Sequence, residues 1–185
     1  MLERFSGVGT IFSSDIVNLN KMLEDISPET IILILKEYLK HVQSKVLKHN
    51  GIVLRYEASD LLAYWHPQIN NHAQMAFDAS CEIIDTLPFL ALRKKHFPFE
   101  IDIVLGTEEM QGDFFGPKDQ FQIVGKAISV MYRITTSQDA QETAIRFSQD
   151  TFGLIKTTRN IENIGIIQRE GLEDLRVYKN RSANN

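Results

Sequence analysis

The segment GIVLRYEASDLLAYW, Gly51 to Trp65, constrains the fold of this chain more than any other. Two apolar runs meet at Glu57-Ala58-Ser59-Asp60, the pattern of a β-hairpin, and the second run reads as a buried strand. Amphipathic helices flank the hairpin on both sides. Upstream, Ser27 is an N-cap, Pro28 and Glu29 suit a first turn, and apolar residues recur at Ile31, Leu35, Tyr38, Leu39, Val42 and Val46. Asn50-Gly51 closes that helix with a left-handed cap. Downstream, NNHAQMAFDASCEIIDTL has a second amphipathic period, which Pro88 is expected to stop or kink. Before the first helix lie the β-type run GVGTIFSSDIV, ending on Asp15, and the short helix NLNKMLEDI. After the second, FPFEIDIVLG alternates through Phe99, Ile101, Ile103 and Leu105, a strand with one buried face.

Strand, helix, hairpin, helix, strand is the split βαβ order, so the expected fold is α+β and ferredoxin-like. EEMQGDFFGPKDQFQIVG reads as a short strand, a turn-rich loop and another short strand, and KAISVMYRITTS as a helix. TAIRFS, QDTFGLIKT, IGIIQREG and LEDLRVYKN follow as strand, helix, strand and strand, a small C-terminal α/β extension. The expectation is a single domain over residues 1–185, with a core of about 8–178 and a frayed tail at 179–185. In the ferredoxin-like plan the first strand and the hairpin are neighbours. Asp15 and Asp60 therefore fall on one edge of the sheet. Taken singly, one is a strand-end acid and the other a turn acid; together they form a candidate site.

A net charge of −4 over 185 residues argues against a surface built for nucleic acid. The single Cys81 excludes an intramolecular disulfide framework, and its setting in DASCEIID is that of a small buried hydrophobe. The five histidines have no metal-ligand spacing. MLERFSGVG has no apolar signal core and no apolar run approaches about 18 residues, so the expectation is a soluble, cytoplasmic protein without direct membrane insertion.

SSDIVNLNKMLEDISPETIILILKEYL, GIVLRYEASDLLAYW, GTEEMQGDFFG and FQIVGKAISVMYRI resemble, in order and spacing, the successive signatures of the class III nucleotide cyclase catalytic domain. The resemblance covers roughly residues 8 to 178. It implies conversion of a nucleoside triphosphate to its 3′,5′-cyclic monophosphate and pyrophosphate, with two divalent ions, Mg²⁺ or Mn²⁺, as cofactors. It puts the metal ligands at Asp15, Asp60 and the carbonyl of Ile16, the phosphate cradle at the backbone amides of Asn18, Leu19 and Asn20, and the transition-state arginine at Arg133. It also implies a head-to-tail homodimer in which one copy supplies the metal acids and the other the arginine.

The departures from the family pattern concern the base and the ribose. The glycine before the second metal aspartate is Ser59. The purine-reading lysine is Tyr56, its usual acidic or threonine partner is Gln122, and the ribose-orienting asparagine is Ser129. A late phosphate-holding lysine is Glu170, with Arg169 beside it as the substitute. Kept metal acids beside replaced base readers resemble the standalone pyrimidine cyclases of bacterial antiphage systems. Those make cyclic UMP or cyclic CMP for a separate effector protein. Two alternatives stand beside this: an ATP or GTP cyclase with an atypical base pocket, and a catalytically dead cyclase-like module that binds and regulates.

Overall fold

The computed structural model describes residues 2–94, 100–137 and 142–181. Its elements are β1 (Phe5–Ile16), α1 (Leu19–Asp25), α2 (Pro28–Lys48), β2 (Ile52–Glu57), β3 (Asp60–Trp65), α3 (His72–Lys94), β4 (Ile101–Phe115), β5 (Gln120–Gly125), α4 (Lys126–Thr135), β6 (Ala144–Ser148), α5 (Gln149–Leu154), β7 (Ile161–Ile167) and β8 (Leu175–Arg181).

All eight strands join one sheet in the order β2-β3-β1-β4-β6-β8-β7, with β5 paired to β4. The first four positions, β2-β3-β1-β4, are mutually antiparallel, the split βαβ arrangement the hairpin and its flanking helices demand. The C-terminal elements continue the same sheet: β6 runs parallel to β4, and β8 and β7 follow antiparallel.

The sheet has two covered faces because its central strands are apolar on both. Phe12, Leu61, Ala63, Trp65, Ile103 and Leu105 pack against Tyr38, Val42 and Val46 of α2 and Phe77, Ile83 and Ile84 of α3. Ile11, Leu62, Tyr64 and Val104 pack on the other side against Ala127, Met131 and Ile134 of α4. Gly106 is what lets α4 cross so closely: a Cβ there would sit 2.8 Å from the Ala127 carbonyl oxygen and 3.2 Å from the Met131 nitrogen.

Several expectations are corrected. The strand expected to have one buried face is buried on both, Ile101 through Thr107, and Phe99 lies outside the described residues. GTEEMQGDFF is not a separate short strand. β1 pairs with β4 from Phe5↔Gly112 to Ile16↔Ile101, and that unbroken ladder carries β4 on to Phe115. Pro88 does not end α3, which continues to Lys94; a proline removes one backbone donor, and Ile84 and Leu87 ahead of it are anchored in the core. The expected tail begins too early. β8 includes Lys179, Asn180 and Arg181, and buried Asn180 donates through Nδ2 to the Asn160 carbonyl at 3.1 Å. Residues 182–185 lie outside the described residues.

Candidate functional site

Asp15 is the penultimate residue of β1 and Asp60 the first of β3, and the β1–β3 ladder runs to Ser14↔Leu61, one step short of the two acids. The sheet order therefore sets the carboxylates side by side. Serines hold both. Ser13 Oγ–H donates to Asp60 Oδ1 at 2.8 Å. Asp15 Oδ1 accepts from its neighbour's backbone, the Ile16 N–H at 2.8 Å, and from the Ser59 hydroxyl. Ser59 stands where the family pattern has glycine, and here it orients the opposite acid. That role escaped sequence reasoning, which counted the residue only as a departure.

Asp15 is exposed and Asp60 half-buried. Burial raises the Asp60 pKa above the usual carboxylate value; the Ser13 hydrogen bond opposes this, and the negative charge of Asp15 adds to it. Two adjacent carboxylates, one of them poorly hydrated, favour a cation between them. All the donors present are oxygens, the chemistry Mg²⁺ or Mn²⁺ prefers. Among the described residues no group of three or more His, Cys, Asp or Glu is gathered as a metal site, so a cation here would complete its shell with carbonyl, water or substrate oxygens. The residues present fit such an ion.

Asn18, Leu19 and Asn20 open α1. Asn18 occupies the N-cap but makes no side-chain cap; its Oδ1 accepts instead from the Glu100 N–H at 3.2 Å. Ile16 is buried at the end of β1.

The remaining candidates are dispersed. Arg133, in the last turn of α4, is 7% exposed, and its Nη2 donates to the carbonyls of Ile167 at 3.1 Å and Glu173 at 2.8 Å. Among the described residues its Nε is buried without an acceptor. The structure thus gives Arg133 to the β7–β8 turn and not to the carboxylates of its own chain. Arg169 comes to the same helix end, donating to Thr136 Oγ1 at 2.8 Å. Ser129 is exposed on α4, and Gln122 is exposed on β5 opposite Asp113.

The side of β2 on which Tyr56 stands is set by a bulge. A bulge in β2 between Val53 and Arg55 sets Arg55 opposite Leu62, Tyr56 opposite Leu61 and Glu57 opposite Asp60. Cross-strand partners share a face. Leu61 belongs to the α2/α3 side and Leu62 to the α4 side. Tyr56, 47% exposed, therefore stands on the face away from α4. Arg55 shares the α4 face with Asp60 and reaches α4, its Nη2 donating to the Tyr132 hydroxyl at 3.2 Å. A one-residue bulge swaps neighbouring side chains between faces, and no residue type in IVLRYE announces it.

No protein-family model matches the chain, and no curated protein matches it by sequence. Solved structures do match in fold. The adenylyl cyclase CyaB from P. aeruginosa superposes with a TM-score of 0.85 at 20% identity, over 98% of this chain and 97% of that one. The guanylyl cyclase Cya2 gives 0.83 at 18%, over 96% and 92%. The catalytic core of a rhodopsin-guanylyl cyclase with converted specificity, solved with ATPαS, gives 0.83 at 16%, over 98% and 100%. The fold of this chain is that of cyclase catalytic domains over nearly its whole described length.

Proposed function

We propose that this chain is a class III nucleotide cyclase acting on a pyrimidine nucleoside triphosphate, UTP or CTP. The observation that carries the proposal is the serine-held pair Asp15 and Asp60 on a sheet whose architecture is shared with adenylyl and guanylyl cyclases. In the reaction the ribose 3′-oxygen bonds to the α-phosphorus, the bond from that phosphorus to the β-phosphate's bridging oxygen breaks, pyrophosphate leaves and the 3′-hydroxyl proton is released to solvent. Bound divalent ions supply Lewis-acid activation of the hydroxyl and neutralise the triphosphate.

The chain's own residues do the rest. Asp15 and Asp60, with the Ile16 carbonyl, hold the cations, and Ser13 and Ser59 fix their rotamers. The first amides of α1 at Asn18, Leu19 and Asn20, lacking a side-chain cap, are donors for phosphate oxygens. Arg133 and Arg169 sit together at the end of α4 and would serve the site of a second copy in a homodimer. Of the base and ribose positions in the family pattern, Gln122 and Ser129 lack a purine reader's chemistry, and Tyr56, on the opposite face from Asp60, brings no lysine to the site; the neighbour with converted specificity is an instance of one cyclase fold serving different bases. The product would act as an antiviral second messenger, read by a separate effector protein.

The test of base choice is turnover of ATP, GTP, CTP and UTP with Mn²⁺ or Mg²⁺, with products identified by mass. A cyclic pyrimidine product is expected in at least about tenfold excess. A preference for ATP or GTP overturns the pyrimidine assignment and leaves the cyclase assignment standing.

A further inference from the structure

Asp102 and Arg146 form a buried ion pair that the reaction above leaves without a task. They are 7% and 4% exposed. Arg146 Nε donates to Asp102 Oδ1 at 2.9 Å and Nη2 to Oδ2 at 2.5 Å, a two-pronged contact, and Nη1 donates to the Ile134 carbonyl at 2.8 Å. Removing two charges from water costs several kcal/mol per ion, and an apolar pair of similar volume is often as stable or more so. Stability alone is thus a poor reason for the pair.

Its location supplies a better one. Asp102 is the direct β4 partner of Asp15 on β1. Ile134 follows Arg133 in the last turn of α4. Through three hydrogen bonds, one side chain ties the strand beside the proposed metal acid to the helix turn that carries the proposed transition-state arginine. Its charge also satisfies Asp102, the carboxylate directly across from Asp15. Among the described residues, Asp15 and Asp60 are left without a salt-bridged cation of their own.

We infer that Arg146 is a positioning residue for the cyclisation, locking the Arg133 end of α4 in register with the Asp15 strand and keeping Asp102 out of competition for the bound cation. This rests on the cyclase reading of the site. It acts through Arg133 and Asp15 and touches no reacting atom.

The experiment compares the wild type with Arg146→Lys and with the apolar double variant Asp102→Leu/Arg146→Met. The readouts are thermal melting, kcat and KM, Mn²⁺ binding by titration calorimetry, and amide hydrogen exchange at Thr136 and Ser137, whose N–H groups bond back to Tyr132 and Ile134. The double variant should melt within a few degrees of wild type. It should lose about 30- to 100-fold in kcat, the scale of an ångström-level misplacement, with KM changed less than about threefold. Exchange at Thr136 and Ser137 should rise about tenfold. Arg146→Lys keeps the charge but cannot span both acceptors; it should keep wild-type Mn²⁺ binding and restore little of the kcat. Wild-type kcat and exchange in a folded double variant overturn the inference. If the double variant does not fold, wild-type kcat and exchange in Arg146→Lys overturn it equally. If the wild type forms no cyclic nucleotide, the cyclase reading falls by itself, and exchange with Mn²⁺ binding still decides whether Arg146 sets the helix end and the cation site.

Discussion

At the residue scale the site is a conflict of like charges that the fold sustains. Burial and the neighbouring Asp15 charge disfavour the Asp60 carboxylate. A group whose folded pKa is raised stabilises the fold at low pH and loses that contribution as pH rises through the folded value. At neutral pH the ionised Asp60 is therefore a liability of the metal-free chain. Asp60→Asn should leave its thermal midpoint unchanged or raise it by a few degrees, checked by calorimetry without divalent ions, and should abolish the midpoint increase that Mn²⁺ gives the wild type. The pairing of Asp15 with Asp60 was legible in the sequence, because hairpin and helix order dictate which strand ends meet. The side of β2 on which Tyr56 stands was not, because it turns on the bulge before Arg55. Nor was the orientation of Arg133, which is set by carbonyls 34 and 40 residues further along the chain. The buried Arg146 did leave a trace: one cation inside the apolar strand AIRFS, and one acid inside IDIVLG, each needing the other.

At the scale of elements, α4 depends on a glycine. Gly106 admits the backbone of α4 at a separation no side chain tolerates. Gly106→Ala should cost about 1–3 kcal/mol of stability by overpacking, measured by urea denaturation, and should lower the proposed cyclase activity even in the folded fraction. The junction of α2 and α3 depends on charge. Lys45, Lys48 and His49 converge on Glu82 at 2.8 to 2.9 Å, and Lys45 first, then Lys48 and His49, hold its carboxyl down at about 2. A depressed acid stabilises the fold above its unfolded pKa, and that stabilisation is lost as pH falls through the folded value. The wild type should therefore weaken between about pH 4.5 and 2. Glu82→Gln should be less stable by about 1 kcal/mol at pH 7 and show a shallower decline over the acid window, read from urea midpoints at stepped pH. Here the sequence announced both helices and the caps of α2, though not the run of α3 past Pro88, and it did not show that the two helices would be clasped through a single acid, since that contact joins residues more than 30 positions apart.

At the scale of the whole molecule, the sheet divides its labour. α2 and α3 cover one face with the larger core, while the other face carries α4, Arg55, Asp60 and the Asp102–Arg146 pair. Among the described residues no helix is long and apolar enough to cross a membrane. Exposed Phe114 and Phe115 on the β4–β5 hairpin, with Val124 and Tyr132, are apolar surface of the kind a second copy would cover. On the proposed reading, in which Arg133 serves a second copy, two copies would complete each other's sites. Asp15→Asn and Arg133→Ala proteins, each inactive alone, should then regain up to about a quarter of wild-type activity when mixed, since a shared-site heterodimer restores one site of two and forms in half of the pairs. Activity assays on the separate and mixed proteins check this.

The central claim is that the carboxylate pair is the seat of nucleotide cyclisation. Its most direct measurement is cyclic nucleotide and pyrophosphate formed by wild type, Asp15→Asn and Asp60→Asn, each assayed with the four triphosphates and Mn²⁺ at equal folded concentration. The account predicts equimolar cyclic product and pyrophosphate from the wild type and a loss of at least about 10²-fold in either variant. Undiminished product in either variant, or no cyclic product from any triphosphate in the wild type, would contradict it.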